Sequence, residues 1–383
     1  MGLDIMTGLS AFGGGLVGYL VPFLFVLTIV VFFHELGHFL VARLCGIKVL
    51  TFSLGFGPEL AGFYDRHGTR WKISAVPLGG YVKFFGDENE ASAPSAESLA
   101  AMSEDDRKVS FHHKNVFARA AIVAAGPIAN FILAIVIFAA LFTFIGKPNA
   151  SARVDEVTVD SAAAAAGFQS GDVVVAIDGA KIENFADMQR IVSMSAGENL
   201  TFTVKRGTSQ ITLHGTPALS EVKDNFGNAH KIGVLGIKRG TAPSEMANEK
   251  VDPFTGLWLG AKQSWFIVAT TLKFLGGVFA GHGGADQVGG PLRIAQLSGQ
   301  AASLGIDYLI NLAAVLSVSI GLLNLFPVPL LDGGHLLFYS VELVRGRPLS
   351  ERAQEMGFRI GLALVLMLMI FATYNDILHL TAS

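Results

Sequence analysis

Apolar residues gather in four long runs separated by polar stretches, each close to the ~20 residues a helix needs to cross a bilayer. The runs cover roughly 14–44, 119–145, 307–331 and 357–374. The first continues past any plausible signal-peptide cleavage site, and residues 1–10 carry no Lys or Arg, so it reads as a span rather than a leader. A fifth stretch, 254–280, interleaves Trp258, Trp265 and Phe266 with Lys262, Gln263, Ser264 and Lys273. That mixture predicts an amphipathic helix lying at the membrane interface.

The segments between the runs differ in character. Residues 71–86 (WKISAVPLGGYVKFFG) form two apolar stretches around Gly79 and Gly80, a hairpin-like signal that is unusually apolar for a loop and is expected to dip toward the membrane. Residues 87–108 are acidic and Ala/Ser-rich, the composition of a mobile linker. Short β-rich stretches fill 150–240, with FADMQRIVSM as a helix among them, which predicts a small α+β domain with its own core.

The expected fold is a polytopic α-helical membrane protein with an inserted α+β domain. A first transmembrane helix occupies 1–45, and a loop over 46–117 holds the hairpin (71–86) and the linker (87–108). A second helix occupies 118–146 and the α+β domain 150–240. An interfacial helix and a Gly-rich connection fill 251–302, a third membrane segment 303–344 and a fourth helix 356–376. Arg345, Arg347, Arg352 and Arg359 place the last hairpin in the cytoplasm by the positive-inside rule. Both termini and the α+β domain then lie outside, and the 46–117 loop inside.

Composition agrees. The 383 residues are 51% hydrophobic and 15% charged, with a mean hydropathy of +0.50, whereas soluble domains carry about 25% charged residues. A net charge of -3 argues against nucleic acid as a partner. The single cysteine, Cys45, excludes an intramolecular disulfide and a multi-cysteine metal site.

The chemistry concentrates in His34-Glu35-Leu36-Gly37-His38. On a helix, positions i and i+4 share a face, so two imidazoles there can bind one Zn²⁺ and the glutamate between them can act as general base. Ionisable groups inside an apolar run are costly, which makes them functional candidates. A catalytic zinc takes a third protein ligand and keeps one position open. Asp332, after the helix-breaking Pro327 and Pro329, is the strongest candidate in NLFPVPLLDGGH. Asn324 is a candidate clamp on a substrate backbone or oxyanion, with interhelical packing as its alternative. Gly79 and Gly80 are candidates for holding an unwound substrate strand. His335 reads as facing headgroups, with support of the metal ligands as its alternative, and Gly126-Pro127 with Asn130 as close packing and a local kink.

These motifs together resemble the site-2 protease family of intramembrane zinc metalloproteases. HELGH, GPIANF (126–131) and NLFPVPLLDGGH carry the resemblance, and PLGGYVKFFGD (77–87) with VGGPLRIA (288–295) resembles its bacterial RseP-type branch. The resemblance implies one zinc per chain held by His34, His38 and Asp332, with Glu35 catalytic. It also implies single-span membrane proteins as substrates, such as pre-cut anti-sigma factors or remnant signal peptides, and a bacterial inner membrane as the location. Residues 161–182 resemble a PDZ core, with Gly167, Gly171, Asp172 and Gly179 at its turns, which implies either capture of a peptide terminus or a role as spacer or steric gate. The longer relatives carry two such domains and the space here fits one. An inactive membrane PDZ adaptor and a zinc or ion transporter are the alternatives. The intact HELGH and LDG motifs weigh against the first, and the lack of inverted repeats against the second.

Overall fold

An unbroken apolar run with Pro22 as its one proline folds as a single helix, α1, over Gly2–Leu44. The computed structural model describes residues 2–86, 102–148, 151–182, 184–223, 229–239, 248–280 and 289–382. It divides into two compact units, Met1–Ala139 with Phe254–Leu378, and Ala140–Pro253 with His379–Ser383.

In the first unit α1 leads into two long paired strands, β1 (Val49–Tyr64) and β2 (Arg70–Phe84). A short helix, α2 (Glu104–Val109), capped by Ser103, precedes α3 (Val116–Phe144). Part of the predicted 87–108 linker is therefore helical, because Ser103 accepts from the Asp106 amide at the start of α2. Residues 87–101 of that linker lie outside the described residues.

Among the described residues, four helices are long and apolar enough to cross a membrane: Val17–Leu44, Val116–Phe144, Ile306–Asn324 and Arg352–Leu378. They match the four predicted runs. Val26 and Val30 of α1 pack on Leu309 and Ala313, while Phe39, Phe52, Val82, Phe84 and Ile122 form a second cluster between α1, the strands and α3.

The strands do not pair as the sequence suggests. The hairpin turn falls at residues 65–69 rather than at Gly79-Gly80. The two halves of 71–86 flank β1 instead of pairing with each other: Leu54 lies beside Gly80 on one side and Ile73 on the other, and Tyr64 pairs with Arg70. Gly79 takes φ +150 with the Phe56 ring against it, a conformation and a space that suit glycine. Arg43 at the end of α1 holds the turn by an ion pair to Asp65 and a 2.9 Å hydrogen bond to Thr69. Partial burial works against the Asp65 charge, but hydrogen bonds from Trp71, Thr69, His67 and Arg43 pull its carboxyl down to about 2.

A Cβ on Gly80 would lie 2.9 Å from Val31 Cγ1. Thirteen residues separate Val31 from Leu44, so β2 reaches back ~20 Å along α1.

The predicted amphipathic segment is the helix α6, which spans Pro253–Phe279 and follows the two short helices of the second unit in the chain. Its small residues Gly256, Gly260 and Ser264 are buried, and a Cβ on Gly260 would sit 2.6 Å from the Ile135 carbonyl of α3. Trp258 and Trp265 are both 71% exposed. The predicted Gly-rich connection over 281–302 is helical from Pro291. Helix α7 (Pro291–Leu304) begins with proline in its first turn, and its amides at Gly290, Leu292 and Arg293 donate to the buried Asp376 carboxylate. That cap comes from a residue 83 or more positions away, which no local pattern reveals. Residues 281–288 lie outside the described residues. Helices α8 (Ile306–Asn324), α9 (Asp332–Arg345) and α10 (Glu351–Ala382), the last as far as Leu378, complete the unit.

The second unit is the predicted α+β domain. Strands Val173–Ile177, Leu200–Arg206 and Ser209–Gly215 form an antiparallel sheet edged by Ala180–Lys181. Helices α4 (Ala162–Ala166) and α5 (Phe185–Met194) belong to the same unit. Phe168, Val174, Ile177, Met188, Phe202 and Val204 make its core. Gly167, Gly171 and Gly179 all take positive φ, as their predicted turn positions require. Asp172 is buried, and Arg206 donates to it at 2.7 Å. Burial works against its charge, but this guanidinium and the Gln169 amide outweigh it and hold the carboxyl below the usual range.

Candidate metal centre

The HELGH spacing turns His34 and His38 to one face of α1, with ring centroids 4.9 Å apart and Nε2 atoms 3.3 Å apart. Asp332 opens α9 and brings its Oδ2 to 3.1 Å from His34 Nε2 and 3.6 Å from His38 Nε2. One ligand atom from each of the three residues lies within 4.8 Å of the others, the only such group of three or more among the described residues.

The chain reaches Asp332 through an irregular link. Helix α8 ends at Asn324, Pro327 and Pro329 follow, and Leu330 takes φ 105, a region that costs a residue with a side chain. Gly333 and Gly334 then pass under that link: a Cβ on either would meet the carbonyls of Leu325 and Phe326, or of Val328. Only glycine lets helix α9 start so tightly. Arg119 of α3 pairs with Glu342 of α9 at 2.5 Å and lies over the Tyr339 ring, which fixes the helix that carries Asp332.

A metal fits the donor set. Asp332 Oδ2 is buried with no hydrogen-bond partner, facing two imidazole nitrogens. His38 Nδ1 lies 2.8 Å from the Ile122 carbonyl, which accepts only if Nδ1 carries the proton, leaving the Nε2 lone pair free. Two neutral imidazoles and one carboxylate, all from the protein, match the ligand set of a catalytic zinc site, in which a further position stays open.

Space for that metal is left by α3. A Cβ on Gly126 would lie 2.3 Å from His38 Nε2 and 2.9 Å from His34 Nε2. Gly37, inside HELGH, admits the backbone of α3: its Cβ would collide with the Ala125 carbonyl. Asn130, one turn beyond Gly126, is fully buried with Nδ2 3.2 Å from His34 Nδ1. Gly126 and Asn130 were read from the sequence as packing and kink residues. Their four-residue spacing within GPIAN, which puts both on one helix face, is the signal that could have placed them at the site.

The other predicted residues fall as follows. Gly80 lies against Glu35, its Cβ position 2.9 Å from Glu35 Cγ, so β2 runs beside the glutamate. Asn324 is the half-buried last residue of α8. Pro327 is exposed, and the Pro329 backbone packs on α10, where a Cβ on Gly361 would strike its carbonyl. The His335 ring packs 5.4 Å from Phe358, with the Phe338 and Tyr339 rings within 6.5 Å.

Comparison with known proteins bears on this site. The model of peptidase family M50 matches residues 22–368. A protein of Agrobacterium fabrum named as a candidate zinc metalloprotease is 50% identical over 372 residues, covering 97% of this chain and 99% of its own length. A similarly named protein of Rhizobium meliloti is 52% identical, with 94% and 96% covered. The metalloprotease MmpA of Caulobacter vibrioides is 40% identical, with 94% and 95% covered.

Proposed function

The chain belongs to peptidase family M50, the site-2 protease family of zinc metalloproteases, and on that footing we propose that it is an intramembrane endopeptidase of the RseP-type branch. It cuts single-span membrane proteins within or near their transmembrane helix. The observation that carries this reading is the meeting of His34, His38 and Asp332, two of them on a helix long and apolar enough to span a membrane.

In this reading His34, His38 and Asp332 hold one zinc per chain. When bound, zinc supplies a Lewis acid that polarises the scissile carbonyl and acidifies water. Glu35 accepts the proton of the attacking water and delivers it to the leaving amine. The Ile122 carbonyl keeps His38 in its ligating tautomer, and the Arg119–Glu342 pair keeps α9, and with it Asp332, in place. A helical substrate has its peptide bonds shielded by its own hydrogen bonds, so it must unwind before attack. The strand around Gly79 and Gly80, reaching ~20 Å along α1 beside Glu35, supports edge pairing with the unwound segment. Asn324 is placed in this scheme to clamp the substrate backbone or the oxyanion.

Exposed Leu60, Phe63, Tyr64, Ile73, Val76 and Leu78 on β1 and β2 support immersion of that hairpin in the bilayer. The α+β unit serves as a single PDZ domain on the extracytoplasmic side, reading a peptide terminus or excluding bulky substrates. The setting is a bacterial inner membrane with both termini outside, and the substrates are remnants left by an earlier cut, of the anti-sigma factor or signal-peptide type.

Mass spectrometry of products tests the reading. A single-span substrate with a truncated outer domain, incubated with the purified protein in liposomes, should yield new termini inside its apolar segment. Termini confined to its soluble flanks would refute intramembrane cleavage.

A further inference from the structure

A zinc-binding histidine must present a lone pair, so the nitrogen not facing the metal carries the proton and needs an acceptor. For His38 that acceptor is the Ile122 carbonyl, 2.8 Å from Nδ1. For His34 the group facing Nδ1 is the Asn130 amide, at 3.2 Å through Nδ2, while Asn130 Oδ1 is buried without a partner. If His34 offers Nε2 to a metal, Nδ1–H and Nδ2–H are two donors face to face. A half-turn of the amide about its last bond exchanges oxygen and nitrogen, which have nearly the same size and are assigned from hydrogen bonding rather than shape. Oδ1 then accepts from His34 Nδ1–H, and the orphaned acceptor gains its donor.

We infer that Asn130 is the positioning residue that holds His34 in the tautomer able to ligate metal, through Oδ1. The surroundings fix Asn130 itself. Ser317 Oγ of α8 donates to its backbone carbonyl at 2.8 Å, and a Cβ on Gly321 of α8 would lie 3.2 Å from its Cβ. Helix α8 thus backs Asn130, and α3 presents it to α1. The two histidines are oriented by the same helix in two ways, one by the Ile122 carbonyl and one by a side chain eight residues further on. Only the second can be altered by substitution.

The inference rests on His34 as a metal ligand, and its test separates the two claims. Zinc affinity is measured by competition with a chelating dye on the full chain in detergent, for wild type, His34→Ala, Asn130→Leu and Asn130→Asp. Helical circular dichroism and gel filtration verify the fold of each. Leucine matches the shape of asparagine without an acceptor, and should weaken zinc binding 10–100-fold, the usual effect of losing such a partner. Aspartate restores an acceptor and should bring affinity back toward wild type. A folded Asn130→Leu that binds zinc as tightly as wild type overturns the inference, as does a folded Asn130→Asp that is as weak as the leucine variant. If the leucine variant does not fold, Asn130→Ala replaces it under the same criteria. If His34→Ala binds zinc like wild type, the ligand reading itself falls, and the inference with it.

Discussion

Gly126 of α3 stands so close to His38 of α1 that a methyl group on it would lie 2.3 Å from the imidazole Nε2. The glycine leaves the space in which three ligand atoms meet. Alanine at this position improves helix propensity by up to ~1 kcal/mol against about 1–3 kcal/mol for crowding the two imidazoles, so Gly126→Ala should fold with a modestly lowered stability. Its zinc affinity should fall by about 10–100-fold, as when a ligand loses its support. Dye competition alongside thermal unfolding of the zinc-stripped protein checks both parts.

Substitution of Gly80 tests the proposed substrate handling apart from metal binding. A larger side chain would press on Glu35 Cγ, Val31 Cγ1 and the Ser53 carbonyl, each 2.9 Å from the first added carbon. Gly80→Val should move β2 away from α1 and lower cleavage on the order of 100-fold, the scale of a 1 Å misplacement. Zinc content should stay at the wild-type level, because none of the three candidate ligands is among those contacts. Metal analysis and cleavage on the same preparation read the two effects.

Helix α6 buries Gly256, Gly260 and Ser264 and exposes Trp258 and Trp265. In liposomes both indoles should lie near the boundary between headgroups and acyl chains. Lipids brominated at different depths should quench them most when the bromine is shallow. Quenching that is greatest with deep bromine would make α6 a span.

The Asp172–Arg206 pair makes the second unit sensitive to acid. The folded carboxyl titrates below its unfolded value of about 3.9, because Arg206 and the Gln169 amide outweigh the burial that opposes its charge. Its stabilisation is complete above the unfolded value and disappears as pH falls through the folded one. Hydrogen-exchange protection at Val174, Phe202 and Val204 should therefore drop between pH 5 and 2. Asp172→Asn should lower protection at neutral pH and flatten that drop.

The four spans were legible because apolar length alone specifies them, and HELGH because polar groups inside such a run demand a reason. Asp332 was legible through the prolines that precede it. The path of β2 was not. Its apolar residues read as two arms about Gly79-Gly80, whereas the arms embrace β1, a choice made by tertiary packing of Phe56 and by the Arg43–Asp65 anchor. The start of α7 was hidden because its cap, Asp376, lies on another helix. Asn130 was underread because a lone asparagine in an apolar helix is commonly interhelical glue, and only the fold brings it to His34.

As the proposed base of a zinc peptidase built on His34, His38 and Asp332, Glu35 should be indispensable for cleavage but not for metal binding. Wild type and Glu35→Gln should be compared on a truncated single-span substrate in liposomes, with zinc measured on both. About one zinc per chain is expected in each, with cleavage by wild type alone. Cleavage by Glu35→Gln at the wild-type rate, with zinc bound in both, would contradict that role.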